Sequence, residues 1–272
     1  MSWLALALAS GLFNGLWTSG IKSKVQTSDA LSFTAALRWG VGLLLLPVVF
    51  LTWRPVSPSW WAFTALAGFL ECVSLWTMAR GARHDYYATY ALSNTSPAFM
   101  ALLAAPLLGE TLGVPLWAGT GLVTTGAVWM HYRGHWSWWG LATAVLGAVS
   151  GVATKHVIGQ GSAIAHASLS FLMGTVALHL LQQRNPAMKF AFVLKRVAEV
   201  RWLILLSALA TVCYFTAVQI APLTLVSPYV RVNLVVGFLL SHYVLRETRD
   251  WQGRAVGAVI LLAGLVVILW EP

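Results

Sequence analysis

The sequence predicts an all-α integral membrane protein whose ten transmembrane helices form two inverted five-helix repeats. Three observations carry this expectation. Of the 272 residues, 58% are hydrophobic and only 9% are charged, whereas a soluble domain carries about a quarter charged residues. The apolar residues gather in ten blocks of spanning length, which is about 20 residues. Finally, the chain matches itself when shifted by about 137 residues, with Trp3 falling on Trp139 and Glu110-Thr111 on Glu247-Thr248.

The blocks fall at approximately 3–21, 29–52, 59–81, 85–108, 113–132, 137–158, 164–183, 200–220, 222–245 and 251–270. In lipid every backbone polar group must be paired internally, which leaves helices or a closed barrel. The blocks lack the alternating pattern of barrel strands, so they read as helices. Of the fifteen tryptophans, most stand at block edges: Trp3, Trp53, Trp60, Trp61, Trp136, Trp138, Trp139, Trp202, Trp251 and Trp270. That is the belt in which an amphipathic ring suits the headgroup zone. Cys72 and Cys213 lie inside blocks three and eight, which argues against a disulfide framework. The first block has neither a basic leader nor a small-residue cleavage site, so it reads as a span rather than a signal peptide.

Taken in order, block one holds Gly11 and Gly15, with Asn14, Trp17 and Thr18 on one face. Trp17 offers a stacking surface for a planar or cationic solute; for Trp17, Trp39 and Trp76, lipid contact or packing is the plainer role. Blocks two and three each bury one charge, Arg38 and Glu71. Block four carries Tyr86, Tyr87, Tyr90, Asn94 and Pro97, and the spacing of three and four aligns Tyr90, Asn94 and Pro97. It ends in LLGET at 107–111. A carboxylate near a helix N-terminus is favoured by about 0.3–1 kcal/mol, so Glu110 is expected to support block five, with Pro115 in its first turn. Block five holds Gly119 and Gly126.

Block six repeats the glycine pair as Gly147 and Gly151. Block seven carries His166 and His179, and block eight carries Tyr214 and stops at Ala221-Pro222. Block nine places Ser227 and Arg231 where block four has Tyr90 and Asn94, and it ends in VLRET at 244–248. Glu247 is read like Glu110, with a gate pair to Arg246 or Arg249 as the functional alternative. Asp250 is a candidate cap for block ten, which holds Gly257 and Gly264. The repeats are 1–135 and 136–272. Five crossings in each half force the second to start on the opposite side, the plan of many secondary transporters, with a site near the midplane between the halves.

Arg38, Glu71 and Arg231 lie well inside blocks, where a charge costs about 2.5–3.5 kcal/mol on insertion scales. They should face the bundle interior, either as a structural pair of Glu71 with Arg38 or Arg231, or as substrate contacts. Pro97 and Pro228 are placed to bend blocks four and nine. The histidines show no metal spacing. No HExxH, GxSxG or carboxylate pair beside a histidine is present, so an enzyme is not expected.

Several of these features resemble the drug/metabolite transporter superfamily, EamA type: Gly15 to Lys22, Arg38, LLGET followed by Gly119 and Gly126, and VLRET followed by Gly257 and Gly264. The resemblance implies ten helices in a bacterial inner membrane and outward transport of metabolites or drugs. Asn14 and Arg246 depart from the usual pattern, which has an aromatic residue and a glycine there. The loops after the odd-numbered blocks hold thirteen Lys and Arg residues, from Lys22 to Arg254, against Arg54 and Lys155 on the other side. The positive-inside rule puts both termini outside; the resemblance implies inside.

The expected function is a secondary transporter of a small amphiphilic metabolite, an amino acid or related organic anion, working by alternating access. Its substrate site is expected at Asn14, Trp17, Arg38, Glu71, Tyr90, Asn94, Tyr214, Ser227 and Arg231. An exporter of cationic amphiphiles and a passive channel are the competing readings. No cofactor is expected, although Glu71 offers a site for proton coupling. Partners are the solute and membrane lipid, not nucleic acid, because the net charge of +9 sits mainly in short loops. Ten helices suffice for a monomeric pathway; a homodimer is the alternative.

Overall fold

The computed structural model describes residues 2–27, 29–132, 135–244 and 250–270. Glu247, Arg246 and Arg249 lie outside the described residues. Among the described residues the chain is helical and has no strand: α1 Trp3–Thr27, α2 Ala30–Thr52, α3 Pro58–His84, α4 Tyr86–Ser93, α5 Ser96–Leu108, α6 Val114–His131, α7 Trp138–Ile158, α8 Ala163–Leu181, α9 Phe190–Glu199, α10 Arg201–Ile220, α11 Leu223–Val230, α12 Val232–Tyr243 and α13 Trp251–Ile268. Eight stretches are long and apolar enough to cross a membrane, counting Tyr86–Leu108 and Leu223–Tyr243 as one each, and α1 adds the shorter apolar segment Trp3–Thr18.

The helices begin where polar side chains can receive their free N–H groups. Asp29 accepts from Ser32 N at 2.9 Å, Ser57 from Trp60 N at 3.3 Å, Asp85 from Ala88 N at 3.0 Å, Ser137 from Gly140 N at 3.3 Å and Ser162 from Ala165 N at 3.3 Å. Each such cap contributes about 1 kcal/mol. Asp250 occupies the corresponding place before α13, but with φ 55° its side chain makes no cap bond, contrary to expectation. Gly109 ends α5 in the left-handed region at φ 68°, where a Cβ would be strained.

Three further features differ from the sequence reading. The 184–201 link contains α9, because Val193 and Val197, one turn apart, pack against the core. Arg254 lies inside α13 and is buried, with its guanidinium 5.5 Å from the Tyr87 ring, rather than in a loop. Blocks four and nine are interrupted: α4 gives way to α5 at Asn94-Thr95, and α11 to α12 at Arg231. Pro97 stands in the first turn of α5 and Pro228 lies inside α11, three residues before its break.

Packing pairs the halves. α6 lies against α13 and α2 against α8; α1 packs on α10, α11 and α12, and α7 packs on α3, α4 and α5. Exchanging the halves maps α6–α13 and α2–α8 each onto itself and the contacts of α1 onto those of α7. The α6–α13 contact is antiparallel and built on the repeated glycines. A Cβ on Gly119 would lie 2.7 Å from Gly264 O, and one on Gly126 would lie 2.6 Å from Gly257 O. Gly11 and Gly15 likewise approach α11 and α12 of the same chain, at Val230 O and Asn233 O. Bonds from Ser57 to Gln160, from Gln219 to Gly161 O and from Leu223 N to Glu110 gather the α2–α3, α5–α6, α7–α8 and α10–α11 links at one end, called the first end. The basic links and α9 lie at the second end.

Candidate functional site

A cavity of about 250 Å³ opens between the halves, and all nine residues named from the sequence line it. Its centre is built by the two helix breaks. Asn94 ends α4 and Arg231 ends α11, at positions equivalent under the 137-residue shift, and Arg231 Nη1 donates to Asn94 Oδ1 at 2.8 Å. Arg231 Nη2 donates to Ser96 Oγ at the start of α5. Asn94 is held in turn by its own Nδ2, which donates to Tyr90 O at 2.6 Å. An interrupted helix frees backbone and side-chain groups at depth, and such groups are tolerated there only where they face protein or a polar cavity.

A second polar group joins α1, α4 and α12. Tyr90 O–H donates to Thr18 Oγ1 at 3.1 Å, Asn233 Nδ2 donates to the Tyr90 oxygen at 3.4 Å, and Thr18 donates to Asn14 O at 2.6 Å. Tyr86 stacks on Tyr90 with centroids 5.5 Å apart. Across the cavity, Arg38 Nη2 pairs with Glu71 Oε2 at 2.8 Å, and the Arg38 guanidinium lies 4.2 Å from the Phe171 ring centre. Of the two pairings open to Glu71, the structure takes Arg38. Trp17, Tyr214, Phe215, Met78 and Leu75 complete an apolar wall, and Ser227 lines the cavity from α11.

The lining residues come mostly from the middle and second-end portions of their helices. At the first end, two side chains of opposite charge bond to helix ends. Lys155 Nζ donates to Val218 O and Ala221 O, each at 2.7 Å, at the C-terminus of α10. Glu110 accepts from Leu223 N at 2.8 Å, Thr224 N at 3.1 Å and Thr224 Oγ1 at 2.6 Å, at the N-terminus of α11. Each charge thus meets the helix end of opposite partial charge. Glu110 therefore supports a helix of the other half, not block five, which corrects the sequence reading. Gln219 adds bonds to Ile158 O and Gly161 O, and Ser57 donates to Gln160 at 2.6 Å.

Sequence reasoning missed Ser96, Asn233 and Lys155. The first two were legible as polar residues beside the equivalent pair Asn94 and Arg231; Lys155 carried no signal beyond being a cation inside a block. Trp39 packs edge-on to His179, and Trp76 to Trp139 beneath Arg80, outside the cavity. His166 is buried between Thr64 and Thr154 as a core link. Among the described residues no group of three or more His, Cys, Asp or Glu side chains is arranged to hold a metal ion.

A search of curated proteins found no match. A solved crystal structure of a protein superimposes with a TM-score of 0.71 and 15% identity, covering 96% of this chain and 95% of that one, a likeness of fold alone. The model of the EamA-like transporter family matches twice, over residues 1–132 and 135–270. With both halves matched, the chain is a multi-pass membrane transporter of the EamA-like transporter family, within the drug/metabolite transporter superfamily.

Proposed function

We propose that the protein is a secondary carrier that moves a small carboxylate-bearing metabolite, an amino acid or related organic anion, by alternating access through this cavity. The observation that carries the proposal is the bond between Arg231 and Asn94. Equivalent residues of the two halves meet at two helix breaks, where a carrier built from repeats places its substrate. The antiparallel α6–α13 contact supports inverted halves of five crossings each. At about 250 Å³, the cavity is smaller than the roughly 300–1,000 Å³ of drug-sized pockets, which favours a metabolite. Glu71 is already paired with Arg38, which counts against a cationic drug.

The conformation is closed at the first end by Lys155 and Glu110. With the basic second end in the cytoplasm, it is the inward-facing member of the cycle. Among the described residues, Glu71 is the one acidic residue lining the cavity, and it is the group we assign to a proton-coupled step. Export is the direction that the family resemblance implies.

Counterflow in proteoliposomes tests the reading, with labelled amino acids and organic acids supplied in turn. Uptake should saturate and rise at least about tenfold when the same solute is loaded inside; a channel shows no such stimulation. Arg231→Ala and Glu71→Gln should each lower counterflow by about tenfold or more. Normal counterflow in both variants would contradict the proposal.

A further inference from the structure

We infer that the cavity selects a net monoanion with an aromatic or similarly flat apolar body, that Arg231 holds its oxyanion, and that Glu71 is not a receptor for an ammonium group. This rests on the carrier reading and narrows it.

The first argument is a charge count. Among the described residues, the lining holds two guanidinium groups, Arg38 and Arg231, and one carboxylate, Glu71. The carboxylate is committed to Arg38 at 2.8 Å. Arg231 makes its bonds to two neutral oxygens, on Asn94 and Ser96, and among the described residues it takes part in no ion pair. A cation removed from water is stable only when opposite charge or several acceptors compensate it. The protein supplies one full compensation for two cations, and a ligand carboxylate supplies the other.

The second argument is the balance of unused hydrogen-bonding atoms. Arg231 Nε, Trp17 Nε1 and Arg38 Nε are buried donors without a partner, and all three residues line the cavity. Among the described residues, the one unused buried acceptor in the lining is Asn233 Oδ1. An ionised carboxylate only accepts, so it can serve these donors; an ammonium only donates and cannot. A guanidinium also meets a carboxylate with matching geometry.

The third argument is the wall. Trp17, Phe171, Tyr214 and Phe215 contribute four aromatic rings to the lining, alongside Met78 and Leu75. Such a surface stabilises a flat apolar body at one end of the ligand while Arg231 fixes the other.

Three probes with one ring and three charge states separate the possibilities: indole-3-acetate as the anion, tryptophan as the zwitterion and tryptamine as the cation. Binding to the full chain in nanodiscs is read by thermal shift and titration at pH 7. Indole-3-acetate should bind saturably, at least about tenfold tighter than tryptophan, with no response to tryptamine. Arg231→Gln should abolish that binding and Arg231→Lys should weaken it about tenfold. The control variant Trp39→Phe, at a residue outside the cavity, should keep it within about threefold. Unliganded melting and monodispersity confirm that each variant is folded. The inference is overturned if tryptophan or tryptamine binds more tightly than indole-3-acetate, if none of the three binds, or if Arg231→Gln retains the binding of the unaltered chain. Counterflow of a zwitterion or cation would sink this assignment while leaving the carrier reading intact.

Discussion

Gly68→Ala is expected to destabilise the helix bundle more than any other single methyl addition. A Cβ at Gly68 in α3 would lie 1.8 Å from Ser170 O of α8, and one at Gly174 would lie 2.2 Å from Gly68 O. Both obstacles are backbone, so no side-chain rotation relieves them; the helices must separate along a contact that includes buried Cys72 and Phe171. Large losses on substitution come from such overpacking. A cost of about 3 kcal/mol corresponds to a melting-point drop of roughly 6–12 °C, at about 2–4 °C per kcal/mol for a chain of this order of size. Gly121→Ala is the control, because nothing lies within 4 Å of its Cβ position. It should melt at the same temperature or slightly higher, since alanine is the better helix former. Equal melting of Gly68→Ala and Gly121→Ala would show that α3 and α8 do not approach as described.

The second large effect concerns the first end. Glu110 receives three hydrogen bonds from the start of α11, and Lys155 gives two to the end of α10. Glu110→Gln keeps the shape but removes the charge. Charge-assisted bonds contribute about 1.5–3 kcal/mol, and each 1.4 kcal/mol shifts an equilibrium about tenfold. The first end should therefore open at least about tenfold more often. The readout is the labelling rate of Ser227→Cys by a membrane-impermeant maleimide applied from the first-end side, with Cys72 and Cys213 replaced by serine. Lys155→Met should act in the same direction. Unchanged labelling in both variants would mean that these residues do not hold this end closed.

Much of the helical framework could be read from the sequence because lipid imposes one rule: unbroken backbone pairing within apolar stretches. The repeat carried further still. Its shift aligned Asn94 with Arg231, and those two residues are in contact. Charges inside blocks pointed to the cavity for the same energetic reason that they are rare in lipid. What the sequence left open was which helices are neighbours. Glu71 had two available arginines, and only packing selected Arg38. Glu110 was assigned to the nearest following helix, yet it reaches α11, more than 110 residues away. Lys155 entered the sequence reading only as a cation on the less basic side, because its partners are backbone carbonyls, which no residue type announces. The α9 helix escaped notice because its two inward valines span a single turn.

The central claim is that two oppositely oriented halves enclose one polar cavity, and vesicle labelling of paired single cysteines tests it most directly. Pro55 lies exposed in the α2–α3 link of the first half, and Gln183 lies exposed in the corresponding link of the second. In a background without native cysteines, Pro55→Cys and Gln183→Cys are exposed to an impermeant maleimide in right-side-out and inside-out vesicles. The account predicts that they label from opposite faces, Pro55→Cys from outside and Gln183→Cys from the cytoplasmic side. Labelling of both from the same face would contradict it.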